Sequence, residues 1–148
     1  MVVVRPIRED DIEGFRAAVD RVAREKRFLA RIEGPSFEQA SRFVLGNLAC
    51  GNPHFGADAD GLVAGWCDVI RQDHLPIYAH SRTLGMGLVP VAAAFAAGMT
   101  RVQLTVRADN EAAITLYRRI GFADEGYHRG TDRIDGITYD TRSMALLA

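Results

Sequence analysis

The sequence predicts a single domain of mixed α+β class spanning residues 1–148, a mostly antiparallel sheet with helices laid against it. Segments in which apolar residues alternate at period two are interleaved with segments at a period near four, the marks of half-buried strands and amphipathic helices. Short hairpin-type turns separate several of the strand-like runs. The 148 residues are 48% hydrophobic and 25% charged, a composition that buries a core without help from disulfides or metal.

A formal net charge of −1 gives no basis for a nucleic-acid or membrane-surface partner, so function is expected from a local site. Cys50 and Cys67 show neither C-x-x-C spacing nor a disulfide framework, which predicts reduced thiols, both in the core, and a cytoplasmic setting. The apolar run before Arg5 is too short for a signal-peptide core or a membrane span.

Taken in order, the β-branched run from Val2 to Ile7 reads as an edge strand that Pro6 takes out of the ladder. Asp10 or Asp11 is placed to cap a helix whose apolar face is Ile12, Phe15, Val19 and Val22. A connection from Phe28 to Pro35 leads to Ser36 and Gln39, a capping-box pair opening a second helix with Phe37, Ala40, Phe43, Val44 and Asn47 inward, closed at Gly51-Asn52-Pro53. His54 to Ala57 and Leu62 to Ile70 flank Asp58-Ala59-Asp60-Gly61, a hairpin signal.

On the second strand of that hairpin, Trp66, Asp68 and Ile70 share one face and Gly65, Cys67 and Val69 the other. A carboxylate beside a large aromatic suits binding an ammonium group or taking its proton; the plainer reading is an exposed residue paired with an arginine. Arg71 to Arg82 reads as a polar loop carrying His74 and His80, six apart with no supporting carboxylate cluster, so no metal is expected. Thr83 to Val89 reads as the fourth strand, where Gly85 and Gly87 permit close backbone approach.

The most informative stretch is Thr100 to Phe122. Val102, Leu104 and Val106 alternate with polar residues, and Asp109 or Asn110 can accept hydrogen bonds from the free amides of a following helix. Ala113, Ile114, Tyr117 and Ile120 fall on one helical stripe, and Gly121 supplies the left-handed residue that stops it, with Phe122 folding back on the last turn. Ala123 to Gly130 and Ile137 to Leu147 then read as two strands around a turn at Thr131 to Gly136.

Val106, Ala108, Asn110, Ala113, Tyr117, Gly121 and Phe122 together resemble a motif of the GCN5-related N-acetyltransferases, V-x-A-x-N-x-x-A-x-x-x-Y-x-x-x-G-F. The resemblance implies that family's fold, with a splayed pair of parallel strands at the fourth and fifth positions and helices on both faces of the sheet. It implies acetyl-CoA as co-substrate and a primary amine of a small molecule or peptide as acceptor, joined in a ternary complex, and leaves a homodimer open. Asn110, Ala113 and Tyr117 would lie beside acetyl-CoA, with Tyr117 as proton donor. A phenol of pKa about 10 can protonate a thiolate whose thiol has a pKa near 8.5; read from the residues alone, Tyr117 is a core aromatic. The backbone amides of Leu88 and Val89 would polarise the thioester carbonyl. Asp68, through water, would be the base. Because the two N-terminal helices cover one end of the acceptor site in that family, Glu33, with Trp66 and Asp68, is a candidate substrate contact, against the plainer reading of a solvated loop glutamate.

One departure from the family pattern stands out. Its Q/R-x-x-G-x-G/A turn, which holds the cofactor diphosphate at a helix N-terminus, is replaced here by Val89-Pro90-Val91 running into an alanine-rich segment, and no charged residue occurs from Thr83 to Thr100. Only residues 90–100 separate the fourth and fifth strands, parallel in this reading, which is a marginal crossover. A block of about 14 residues, four helical turns, is missing by comparison. A block lost from the sequence as determined would leave the α-carbons of Pro90 and Val91 farther apart than about 3.8 Å. A true deletion makes a non-catalytic, metabolite- or partner-binding module, and a short crossover could still hold acetyl-CoA through strand backbone alone.

Overall fold

The computed structural model describes residues 2–26, 29, 31–71, 77, 81–85 and 100–148. The strands are β1 (Val2–Pro6), β2 (His54–Ala59), β3 (Leu62–Arg71), β4 (Ser81–Gly85), β5 (Arg101–Arg107), β6 (Ala123–Ile134) and β7 (Ile137–Leu147). Among the described residues the helices are α1 (Ile12–Arg24), α2 (Phe37–Ala49) and α3 (Glu111–Ile120), with a 3-10 turn at Glu9–Asp11. One seven-stranded sheet runs in the order β1-β2-β3-β4-β5-β7-β6; β4 and β5 are parallel and all other neighbours antiparallel. Leu88, Val89, His74, His80, Gly87, the alanine-rich segment and the Pro90–Val91 spacing lie outside the described residues.

Two cores form on opposite faces of this sheet. Ile7, Phe15, Val19, Ala40, Val44, Val63 and Trp66 pack where α1 and α2 lie. Cys67, Val69, Leu84, Val102, Leu104, Val106, Ile114, Tyr117, Phe122 and Met144 pack where α3 lies. Val63 and Trp66 share a core despite their odd spacing because the β2–β3 register slips at Ala64: Ala57 faces Gly65 while Asp58 faces Val63. The extra residue reverses the phase of the alternation and keeps both apolar side chains inward.

Local signals hold at most element ends. Ser36 Oγ accepts from the Gln39 amide at 3.2 Å and Gln39 Oε1 from the Ser36 amide at 3.0 Å, closing the capping box of α2. Gly121 takes φ 108°, and the Phe122 amide donates to the Tyr117 carbonyl at 3.0 Å, so the chain doubles back under α3. Asp60 and Gly61, at φ 53° and 85°, form the two-residue turn between β2 and β3.

Several expectations are corrected. Asp11 does not cap α1, because its carboxylate is held by Arg5 at 2.6 and 2.8 Å and by the Arg8 amide at 2.8 Å. Phe37 opens α2 but is exposed, and Cys50 is exposed at its end. Ser81 and Arg82 belong to β4 rather than to the preceding loop. The β6 strand continues through Thr131 to Ile134, the true turn being Asp135-Gly136; a bulge at residues 129–131 with Gly130 at φ 65° produces the turn-like composition there.

Candidate active site

The parallel strands separate as they run toward their C-terminal ends. Among the described residues β4 and β5 are paired only at Ser81–Arg101, Arg82–Val102 and Thr83–Gln103; beyond that, Leu84 and Gly85 have no partners on β5, and Leu104 to Arg107 pair with β7. Adjacent parallel strands thus open a gap at the middle of the sheet.

Asp68 lies at the lip of this gap. Among the described residues it is the first of β3 paired with β4, opposite Gly85, and it is 3% exposed. A Cβ built on Gly85 would lie 2.3 Å from Asp68 Oδ1 and 2.7 Å from its Oδ2, so the carboxylate occupies the space a side chain would need. Burial pushes the Asp68 carboxyl up to about 6, as desolvation penalises its charged form. The side chain is buried rather than exposed, and no arginine pairs with it among the described residues.

From Asp68 a cavity of about 630 Å³ extends between the sheet and α1 and α2, a size typical of small-molecule sites. Its walls include Trp66, Phe15 and Phe43; the Phe15 ring stands at 90° to Trp66 and nearly parallel to Phe43, with centroids 5.8 Å apart in each case. Arg31, Pro35, Gln39 and Arg42 also line it. The connection that carries Arg31 and Pro35 is tied to α1 by the Gly34 amide, which donates to Asp20 Oδ1 at 2.8 Å. Glu33 is exposed on that connection and is not among the lining residues.

Cross-strand from Asp68 on β2 is His54, also 3% exposed. Its ring meets Phe15 and Phe43 edge-on at 5.2 and 5.6 Å, and Asn47 Nδ2 lies 3.5 Å from its Nδ1. The His54 Nε2 finds no hydrogen-bond partner among the described residues, and burial lowers its pKa to about 4. His54 went unnoticed in the sequence because it opens a strand with no chemical motif around it.

Tyr117 sits on the other face. It is 6% exposed, packs on Phe122 with ring centroids 5.8 Å apart, and shares its core with Cys67, the residue next to Asp68. Burial is the main cause that raises its pKa, with Cys67 adding to it, so the phenol stays protonated at neutral pH. Asn110 serves α3 directly: its Oδ1 accepts from the Ala113 amide at 3.2 Å, holding the first turn, and Ala113 is half-buried on that turn. Trp66 and Asp68 are brought together on the cavity, whereas Tyr117, Asn110 and Ala113 lie across the sheet from them.

Solved structures share this fold. The ribosomal-protein-alanine N-acetyltransferase from Brucella melitensis superposes with a TM-score of 0.90 at 17% identity, covering 99% of each chain. An acetyltransferase of the GNAT family from Streptococcus pneumoniae gives 0.90 at 23% identity over 100% of both chains. The fold is that of the GCN5-related N-acetyltransferases. A phosphinothricin acetyltransferase of the GNAT superfamily from Sinorhizobium meliloti, solved with acetyl-CoA, gives 0.89 at 17% identity over 99% of this chain and 88% of that one. No protein-family model matches the sequence, and no curated protein does either. Among the described residues no cluster of three His, Cys, Asp or Glu side chains is placed to hold a metal ion, and no helix is long and apolar enough to cross a membrane.

Proposed function

We propose that the protein transfers the acetyl group of acetyl-CoA to a primary amine by direct attack within a ternary complex. The observation that carries this is the position of Asp68 at the mouth of the β4–β5 gap, facing the cavity, with Tyr117 on the opposite face. A thioester seated in the gap is open to an amine from the α1–α2 side and to a proton donor from the α3 side.

The roles divide accordingly. Asp68, directly or through water, takes a proton from the ammonium group; its raised pKa near 6 keeps it ionised yet basic at neutral pH. The free amine nitrogen then forms a bond to the thioester carbon, and the resulting tetrahedral adduct gives up its second nitrogen proton to water and expels the thiolate as the C–S bond breaks. Tyr117 gives its proton to that thiolate, a role carried over from the family motif. The oxyanion is assigned to the backbone amides of Leu88 and Val89, and the first turn of α3, held by Asn110 and Ala113, faces the co-substrate. Trp66 forms part of the acceptor wall, and Glu33 is kept as an outer contact.

The uncharged segment from Thr83 to Thr100 favours a second reading, a GNAT-like module that binds a metabolite or partner without catalysis. Two measurements separate them: calorimetry with acetyl-CoA, and release of free thiol on mixing acetyl-CoA with a panel of primary amines. Binding with amine-dependent thiol release supports the enzyme; absence of acetyl-CoA binding establishes the module.

A further inference from the structure

The cavity's lining is uneven in charge. Among the described residues Asp68 is the single acidic one that lines it, whereas two arginines, Arg31 and Arg42, stand on it. Arg42 is held by Glu38 at 2.8 Å along the exposed side of α2. Arg31 is exposed and makes no ion pair among the described residues; the nearby Glu33 is exposed too, does not line the cavity and acts electrostatically on Arg24. The rest of the lining is largely aromatic and aliphatic, with Phe15, Phe43, Trp66 and Val19. Because Phe15 is already stacked on Phe43 and set edge-on to Trp66, the wall is formed before any ligand enters and costs little ordering on binding.

We propose that the acceptor is a primary amine on an aromatic or apolar body that also carries an anionic group, with its ammonium at Asp68, its body against Phe15, Phe43 and Trp66, and its anion toward Arg31. This deepens the acetyl-transfer reading and rests on it for the fate of the amine. One carboxylate satisfies one ammonium. A polyamine would bring a second and third positive charge into an apolar chamber that offers arginine in place of acid, and each would be desolvated without a partner. A neutral arylalkylamine fits the wall but leaves Arg31 unused.

The test uses 4-(2-aminoethyl)benzoate, 2-phenylethylamine and spermidine as probes, each titrated calorimetrically into the protein saturated with CoA, and each assayed for acetylation. The benzoate is expected to bind more tightly than phenylethylamine by about fivefold, the upper range for an ion pair at an exposed residue, and spermidine most weakly. Arg31→Gln, at an exposed position that leaves folding intact, should erase the difference between the first two. Asp68→Asn should weaken both. Spermidine binding as well as the benzoate, no binding by any aromatic amine, or an Arg31→Gln effect equal for the two aromatic probes overturns the proposal. The binding order surviving without any acetylation would instead refute acetyl transfer and leave the ligand class standing.

Discussion

Asp68 and Gly85 face each other across β3 and β4 so closely that a methyl group on Gly85 would overlap the carboxylate, 2.3 Å from Oδ1. The glycine is needed for space, as it carries no positive φ. Gly85→Ala is therefore expected to rotate Asp68 off its position. A stability loss of about 1–3 kcal/mol, as for overpacked sites, should accompany at least a tenfold fall in amine turnover. Thermal unfolding and thiol-release kinetics read the two effects; full activity in the alanine variant would mean that the Asp68 carboxylate has room elsewhere.

Asp68 and His54, opposite each other on β3 and β2, place opposing demands on pH. The folded Asp68 carboxyl titrates near 6 against an ordinary value of 3.8, so the stability it contributes is complete below pH 3.8 and is lost as pH rises to 6. Folded His54 titrates near 4 against 6.5, so its contribution is complete above pH 6.5 and is lost as pH falls to 4. Each spans about 3 kcal/mol at 1.36 kcal/mol per unit, and between pH 4 and 6 they nearly cancel. Asp68→Asn should expose the acid-side loss due to His54 and be more stable than the wild type at pH 7. His54→Gln should expose the opposite slope. Urea midpoints measured from pH 4 to 7 decide the matter; parallel curves for all three proteins would refute the assignment.

Asp68 should also appear in the kinetics. A base at Asp68 that takes the ammonium proton, as proposed, should make the rate climb with pH through about 6, and Asp68→Asn should abolish that limb while lowering the rate about a hundredfold, a typical contribution for a positioned base. A limb that persists in the variant belongs to another group.

Tyr117→Phe removes one oxygen from a residue that fills the core beside Cys67, Ile114 and Phe122. The ring remains, so stability should change by less than about 1.5 kcal/mol, whereas acetyl transfer slows and acetyl-CoA affinity stays within a few fold. Tyr117→Ala by contrast should cost about 3–5 kcal/mol. If turnover of a good amine is unchanged in the phenylalanine variant, the phenol is a packing group only.

The parts of the molecule that were legible in the sequence are those decided by neighbours in the chain. Asn110, the Ile114–Tyr117 stripe and Gly121 define α3 by local chemistry, and the pairing of Trp66 with Asp68 follows from strand alternation alone. The remainder depended on distant contacts. Nothing near Ala64 announces the bulge that puts Val63 beside Trp66, and no periodicity explains why Phe37 is exposed while Phe43 reaches the cavity wall. Phe15 and Arg31 belong to separate segments that meet on one cavity with Asp68 only when α1, α2 and the sheet come together, and His54, on a third, reaches Asp68 only through the pairing of β2 with β3.

The diphosphate of acetyl-CoA supplies the last prediction. Where this fold binds a diphosphate through a glycine turn at a helix start, free amides and the helix dipole meet the negative charge. Residues 83–100 offer no arginine, no lysine and no turn of that pattern, so the diphosphate should add little to binding here. Acetyl-CoA is then expected to exceed acetyl-pantetheine, which lacks the diphosphate and nucleotide, by less than about tenfold in affinity, since exposed ion pairs are weak. The advantage should change little between low and high salt, because few charges are brought together. Intact mass measured on the same preparation fixes whether the chain is the 16.2 kDa of this sequence, with no block of about 14 residues added between Pro90 and Val91. A chain of that mass for which acetyl-CoA outcompetes acetyl-pantetheine a hundredfold, with strong salt dependence, would show that basic residues outside this segment grip the diphosphate. The uncharged crossover would then be no obstacle to conventional cofactor binding.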